Sequence, residues 1–192
     1  MQTKKEVRAS LKHQARQAPP HFFVLEDKAS VEILLKHPAY TGCTTLFGFS
    51  PLSDEVDVTC VLEDALKHKR LALPRCTGGS LEFILVEKGW RDGLQASSLG
   101  VLEPPRGEVA IPDEHSLILV PAMAYTTRGV RLGRGKGYYD RYLGQFPTIP
   151  TMGICRSYQL LTCIPTEDWD MQVTKVLCSG IVYATQHASQ ED

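Results

Sequence analysis

The strongest constraint on the fold is that short apolar runs alternate with helical patterns along most of the chain. The runs 44–49, 117–121 and 151–155 are apolar and short, which is typical of buried strands. Thr3 and Glu6 form a capping-box pattern, and apolar residues then recur at helical spacing up to a Pro-Pro pair. This alternation predicts a single three-layer α/β/α domain, Rossmann-like, with a mostly parallel central sheet. In such sheets ligands bind beyond the carboxyl ends of the strands.

The same patterns set the expected bounds of the elements. Helices are predicted over 3–18, 26–37, 56–68 and 138–145, with a short one near 158–161. Strands are predicted over 44–49, 70–74, 81–86, 117–121, 151–155 and 176–184. Residues 89–113 are rich in Gly, Pro and Ser, and both a lid over a ligand and a disordered loop fit that composition. The domain is expected to cover 1–185, followed by a frayed polar tail over 186–192.

A glycine-rich loop follows the strand at 117–121. Gly133, Gly135 and Gly137 alternate with Arg134 and Lys136. Glycine lets backbone N–H groups approach a ligand closely, and successive N–H groups beside cations form an anion site. The loop therefore predicts a phosphorylated ligand, although a solvated surface hairpin is the alternative. Its spacing matches neither a Walker A loop nor a dinucleotide fingerprint.

Charge and cysteine usage narrow the class of protein. A net charge of −1 over 192 residues does not favour wide electrostatic binding to nucleic acid. The six cysteines lie at irregular spacings without a C-x-x-C pair, so we expect them to be reduced. Neither a secretory signal nor a membrane-spanning run is predicted. We therefore expect a cytoplasmic monomer that binds small molecules, with neither nucleic acid nor a membrane as its partner.

The block R-L-G-R-G-K-G-Y-Y-D-R-Y-L at 131–143 resembles the signature of the 5-formyltetrahydrofolate cyclo-ligase (methenyltetrahydrofolate synthetase) family. Further blocks resemble the family in the same order, at 4–16, 55–57, 72–75, 103–104, 120–121 and 159–170. The resemblance implies an ATP-dependent cyclisation of 5-formyltetrahydrofolate to 5,10-methenyltetrahydrofolate, with phosphorylation of the formyl oxygen and release of ADP and phosphate. It implies a reduced folate and ATP as ligands and Mg²⁺ as a cofactor.

The resemblance also implies roles for individual residues. The residues expected to bind ATP are Lys4, Lys5, Arg8, Arg131, Gly133, Arg134, Gly135, Lys136, Gly137 and Tyr138. The residues expected to contact the folate are Phe49, Glu55, Tyr138 and Tyr139, and those expected to act in catalysis are Arg134, Lys136 and Tyr139. Asp140 and Asp170 would bind Mg²⁺, for which one or two protein carboxylates suffice.

Ordinary structural roles compete with several of these assignments. The cations of the first helix also suit a solvated surface, Asp140 suits the start of a helix, and Asp170 suits a surface turn. Trp90 and Trp169 are expected to be packing residues.

The chain departs from the family pattern at two positions. Tyr125-Thr126 stands where the family commonly has Phe-Asp, and Thr174 stands where an Asp is common. Two other functions therefore stay open: a non-catalytic paralogue that binds nucleotide or folate, and a sugar-phosphate enzyme with the same phosphate loop.

Overall fold

The structure is a computed structural model that describes residues 2–97 and 100–185. The helices are α1 (Lys4–Gln17), α2 (Pro20–Lys36), α3 (Pro38–Thr41), α4 (Thr59–His68) and α5 (Tyr138–Leu143), with short 3-10 turns at Trp90–Gly93 and Ser157–Gln159. The strands are β1 (Thr45–Phe47), β2 (Arg70–Thr77), β3 (Ser80–Val86), β4 (Gln95–Ala96), β5 (Leu102–Glu103), β6 (Val109–Ala110), β7 (Ser116–Val120), β8 (Ala124–Tyr125), β9 (Arg131–Leu132), β10 (Thr151–Cys155), β11 (Lys175–Cys178) and β12 (Ile181–Ala184).

Eight strands form the main sheet in the order β12-β11-β10-β7-β1-β2-β3-β6. The central strands β11, β10, β7, β1 and β2 run parallel to one another. Antiparallel strands close both edges, with β12 on one side and β3 and β6 on the other. The prediction of a mostly parallel central sheet is confirmed.

Alternating residues of the strands belong to two hydrophobic cores on opposite faces of the sheet. Leu46 of β1 packs with Leu34 of α2 and Leu62 of α4, whereas Phe47, the next residue, packs on the other face with Leu143 of α5. A side-chain period of two along each strand produces this alternation. Both faces are therefore covered by helices, which confirms the α/β/α arrangement.

Helix α1 lies apart from the two main cores. Its residues Val7 and Leu11 pack on Met123 and Leu132 of the small antiparallel hairpin β8–β9. The predicted capping box is confirmed: the Thr3 hydroxyl accepts a hydrogen bond from Glu6 N at 3.3 Å, and the Glu6 carboxylate accepts one from Thr3 N at 2.7 Å. The start of the chain is thereby placed against the segment that leads into the glycine-rich loop.

Several predicted bounds are wrong, for physical reasons. Helix α2 begins at Pro20 rather than near 26, because proline is tolerated in the first turn of a helix. Helix α4 begins at Thr59 rather than at 56, since Val56 and Val58 are buried in the loop before it and Val58 lies outside the helical conformation at φ −90° and ψ 8°. The predicted strand 176–184 is the hairpin β11–β12, which turns at Ser179 and Gly180, both with positive φ.

The segment 89–113, predicted as a loop, includes regular secondary structure. It contains the 3-10 turn at Trp90–Gly93 and the short strands β4, β5 and β6, of which β4 pairs with β5 and β6 pairs with β3. The predicted tail over 186–192 lies outside the described residues. Over 2–97 and 100–185, no helix combines the length and the apolar character that crossing a membrane would take.

Candidate functional site

The glycine-rich loop connects β9 to α5 and needs glycine at two positions. Gly135 has φ +97° and Gly137 has φ +66°, and side chains rarely adopt such left-handed backbone. At Gly137 a Cβ atom would also lie 2.8 Å from Arg141 Nη1. Gly137 is the residue that precedes the first turn of α5, which has no side-chain cap. The loop therefore presents backbone rather than side chains at these positions.

A cavity of about 1090 Å³ opens beside this loop. Its walls come from the start of α1, the segment after β1, strands β2 and β5, the glycine-rich loop and the segment 165–171. All of the residues that the sequence assigned to ATP, folate, catalysis or metal line this one cavity: Lys4, Lys5, Arg8, Phe49, Glu55, Arg131, Gly133, Arg134, Gly135, Lys136, Gly137, Tyr138, Tyr139, Asp140 and Asp170. The fold thus brings together residues that are up to 166 positions apart.

One end of the cavity is cationic. Arg8 Nε donates to the Gly133 carbonyl oxygen at 2.9 Å, so α1 is fastened to the glycine-rich loop. Lys4 Nζ lies 2.6 Å from an Asp170 carboxylate oxygen. In the part of the chain that the structure describes, Lys5 and Lys136 form no ion pair and are exposed. Their charges are therefore available to a ligand.

Arg134 is bound by two carboxylates at the middle of the cavity. Its Nη2 atom lies 2.6 Å from Asp54 Oδ1 and 2.8 Å from Glu55 Oε1. Burial alone would lower the pKa of Arg134, but the hydrogen bond to Asp54 and the charge of Glu55 raise it. Glu55 is buried, and its second oxygen accepts a hydrogen bond from Leu52 N at 2.9 Å. A residue assigned to phosphate and a residue assigned to folate are thus directly ion-paired.

The Tyr139 hydroxyl is an unpartnered donor in the cavity wall. Its oxygen is buried and has no hydrogen-bond partner among the described residues. Burial first, and then the charge of Glu55, raise the pKa of Tyr139 well above its usual value. The hydroxyl therefore stays protonated. The neighbouring Tyr138 ring lies 5.3 Å from the Arg141 guanidinium, and the Phe49 side chain is almost fully buried.

The two aspartates assigned to metal are each held by a cation. Asp140 Oδ1 accepts from Arg131 Nη2 at 2.5 Å and from Met171 N at 3.1 Å. Asp170 Oδ2 accepts from Lys4 Nζ and from Glu167 N at 2.8 Å. In residues 2–97 and 100–185 no group of three or more His, Cys, Asp or Glu side chains is arranged to hold a metal ion. Asp140 lies in the first turn of α5, and Asp170 lies in a turn with Glu167. The structural roles expected as alternatives to metal binding are therefore both present.

The structure adds cavity residues that were given no role from the sequence. Trp169, expected to pack, is 68% exposed and lines the cavity, so that expectation is wrong, whereas Trp90 is buried as expected. Glu103 is buried in the wall, where it accepts a hydrogen bond from Cys76 N at 3.2 Å. Burial raises the pKa of Cys76 to about 11, with Glu103 adding to the effect. The blocks at 72–75 and 103–104, which resemble the family, were the sequence signals for this wall.

The two departures from the family pattern lie outside the cavity walls. The Thr126 hydroxyl accepts a hydrogen bond from Arg128 N at 3.3 Å, which closes the turn between β8 and β9. The Thr174 hydroxyl donates to the Thr151 carbonyl oxygen at 2.6 Å, which fastens the start of β11 to β10. Both threonines therefore stabilise strand connections.

Comparison with known proteins agrees with this geometry. The sequence model of the 5-formyltetrahydrofolate cyclo-ligase family matches residues 1–179. The chain belongs to this family. The match includes every element that lines the cavity, from α1 to the segment 165–171.

Individual relatives extend the match over the whole fold. The chain is 27% identical over 187 residues to the 5-formyltetrahydrofolate cyclo-ligase of Mus musculus, covering 91% of this chain and 92% of that protein. It is 27% identical over 160 residues to the mitochondrial enzyme of Arabidopsis thaliana, covering 74% of this chain but 58% of that longer protein. The solution structure of Aquifex aeolicus 5,10-methenyltetrahydrofolate synthetase superposes with a TM-score of 0.83 at 26% identity, covering 98% of this chain and 99% of that one.

Proposed function

We propose that this protein is a ligase that converts 5-formyltetrahydrofolate to 5,10-methenyltetrahydrofolate with consumption of ATP. The observation that carries this proposal is the cavity beside the glycine-rich loop, where Lys5 and Lys136 have no ion pair and the neutral Tyr139 hydroxyl has no hydrogen-bond partner among the described residues. Triphosphate and a formylated heterocycle require these two environments next to each other. Membership of the family supports the same reaction.

The chemistry asks the protein for position and charge rather than for a covalent nucleophile. The formyl oxygen attacks the γ-phosphorus of ATP, an O–P bond forms, and the bond from phosphorus to the ADP oxygen breaks. N10 of the folate then forms a bond to the formyl carbon, the phosphate leaves with the former formyl oxygen, and the N10 proton is released. Each step moves negative charge onto phosphate oxygens, where fixed cations stabilise it.

Different residues of the cavity bind the phosphates and the folate. Lys136 and Lys5, with the backbone of 133–137, bind the phosphates, and Arg134 carries positive charge between the phosphates and the folate. Glu55 orients the folate through the oxygen that faces Arg134. Tyr139 stays protonated and donates to an oxygen of the bound substrate, which gives its buried hydroxyl the partner that the described residues do not provide. Phe49 and Tyr138 form apolar walls.

The proposal keeps Mg²⁺ as a cofactor held by Asp140 and Asp170. Each carboxylate uses one oxygen for its protein partners, and the other oxygen accepts no hydrogen bond from the described residues. The pair thus fits an ion that takes one or two protein carboxylates and otherwise water and phosphate oxygens. Bound there, Mg²⁺ would neutralise charge on the transferring phosphate.

The test is turnover by the purified protein. Mixing it with 5-formyltetrahydrofolate, ATP and Mg²⁺ should generate the absorbance of the methenyl product. Lys136→Ala should raise the KM for ATP, because it removes a cation that has no ion pair among the described residues. Lys36→Ala, which removes another exposed lysine outside the cavity, should not. ATP binding without product would favour the non-catalytic paralogue, and turnover of a sugar phosphate without folate would favour the third hypothesis.

The cellular setting forms part of the same proposal. The partners are the reduced folate and ATP, and the protein acts as a cytoplasmic monomer that binds neither nucleic acid nor membranes. Sedimentation of the pure protein tests the monomer, and imaging of a fluorescent fusion tests the location.

A further inference from the structure

Trp169 is a large aromatic side chain that the protein leaves mostly in water. It is 68% exposed, and it lines the same cavity as the catalytic groups. The chain has one other tryptophan, Trp90, which is buried against the main core. An exposed indole in a cavity wall marks a surface for a ligand rather than for packing.

The backbone that carries Trp169 is fixed at both ends. Asp170 N donates to the Glu167 carbonyl oxygen at 3.0 Å, and Glu167 N donates to Asp170 Oδ2 at 2.8 Å. Lys4 Nζ joins the two carboxylates of this turn, at 2.8 Å from Glu167 and 2.6 Å from Asp170. Trp169 therefore stands on a braced turn, which reduces the conformational entropy that a ligand contact must overcome.

The same contacts place this turn next to the phosphate end of the cavity. Lys4, which holds the turn, and Arg8, which holds Gly133 of the glycine-rich loop, are one turn apart on α1. A nucleotide whose phosphates lie on the loop must place its base against another part of the same cavity wall. The segment 165–171, in which Trp169 is 68% exposed, is a part of the cavity wall that α1 connects to this loop.

We infer that Trp169 is the stacking surface for the adenine base of ATP, an assignment that rests on the proposed function. A flat indole offers its face to a flat purine, and stacking of this kind does not depend on the hydrogen-bonding edge of the base. The side chain then contributes to affinity for the nucleoside part, whereas the lysines and the loop bind the triphosphate. Adenine and guanine nucleotides are accepted in preference to pyrimidine nucleotides, because their larger rings cover more of the indole.

Calorimetric titration separates the base from the phosphates. Trp169→Ala should weaken ADP binding by about 5- to 160-fold, the range of a lost aromatic stack, and Trp169→Phe should weaken it less. Inorganic tripolyphosphate should bind the wild type and Trp169→Ala equally. Equal ADP affinity in wild type and Trp169→Ala would overturn the inference, and so would an equal loss for tripolyphosphate, because the residue would then act through the turn or the phosphates.

Fluorescence gives a second measurement with an internal control. In the Trp90→Phe variant, where Trp169 is the only indole, ADP should quench the emission. In Trp169→Phe, which retains the buried Trp90, ADP should leave the emission unchanged. The opposite pattern would refute the assignment. If the wild type forms product normally and Trp169→Ala binds ADP as tightly as the wild type does, this inference alone is refuted. If the wild type neither binds ADP nor forms product, the proposed function is refuted.

Discussion

Replacing Arg134 with alanine tests the ion-pair network at the middle of the cavity. The guanidinium lies 2.8 Å from Glu55, whose side chain is 7% exposed, and the change would leave that carboxylate with one hydrogen bond, from Leu52 N. A buried polar group that loses its partner costs about 1–3 kcal/mol, and we take about 2 kcal/mol here. The pair with Asp54 is more exposed and adds roughly 0–1 kcal/mol.

This loss is large enough to measure by thermal unfolding. For a chain of this size a loss of about 2 kcal/mol lowers the melting temperature by about 4–8 °C. Lys136→Ala in the same loop is the matched control, because Lys136 has no ion pair in the described part of the chain. As a surface substitution it should change stability by less than about 0.5 kcal/mol. Circular dichroism during heating measures both variants.

A second variant tests the cause. In Arg134→Ala/Glu55→Gln the uncharged amide removes the buried charge, so much of the lost stability should return. The reasoning is refuted if Arg134→Ala melts at the wild-type temperature, or if Lys136→Ala loses as much stability as Arg134→Ala. An additive loss in the double variant would show that the destabilisation does not come from the unpaired Glu55 carboxylate.

Two further predictions concern the cavity wall and the sheet. Burial raises the pKa of Cys76 to about 11, so little of its reactive thiolate is present below that pH. Iodoacetamide near neutral pH should therefore label the exposed Cys60 and Cys163 first. Labelling of Cys76 should rise only as the pH approaches about 11, and mass spectrometry that finds it labelled together with Cys60 would contradict this. Gly153→Ala should destabilise the fold by about 1–3 kcal/mol or more, because the new methyl group would overlap the fully buried ring of Tyr125. An unchanged midpoint of denaturant unfolding would show that the ring can move aside.

Local patterns in the sequence were sufficient for most elements of the fold. The capping box at Thr3 and the apolar runs that became β1, β7 and β10 depend on neighbours in the chain, so their existence could be predicted. The exact bounds of the helices and strands depended on tertiary contacts. The apolar run at 176–184 has strand character throughout, and the hairpin within it is set by pairing of β11 with β12 across the turn at Ser179.

Some features of the candidate site could likewise be predicted from local sequence, and others could not. The glycine-rich loop is contiguous, so its character could be predicted from residue types alone. The partners of Arg134 are about 80 residues away in sequence, and no local pattern indicates that Asp54 and Glu55 meet it. The exposure of Trp169 likewise follows from a turn that Lys4 braces from the other end of the chain. Such contacts arise from tertiary packing, which a single sequence does not display.

Because α1 is bound to segments that are distant in sequence, the phosphate end of the cavity forms late in folding. The phosphate end combines residues 3–8, 133–137 and 165–171, so it cannot form on the ribosome before residues 165–171 have emerged. Among the described residues, those of α1 belong to neither of the two main cores. A protease that removes this helix would therefore leave the sheet folded and take nucleotide recognition away, so folding and activity can be lost separately.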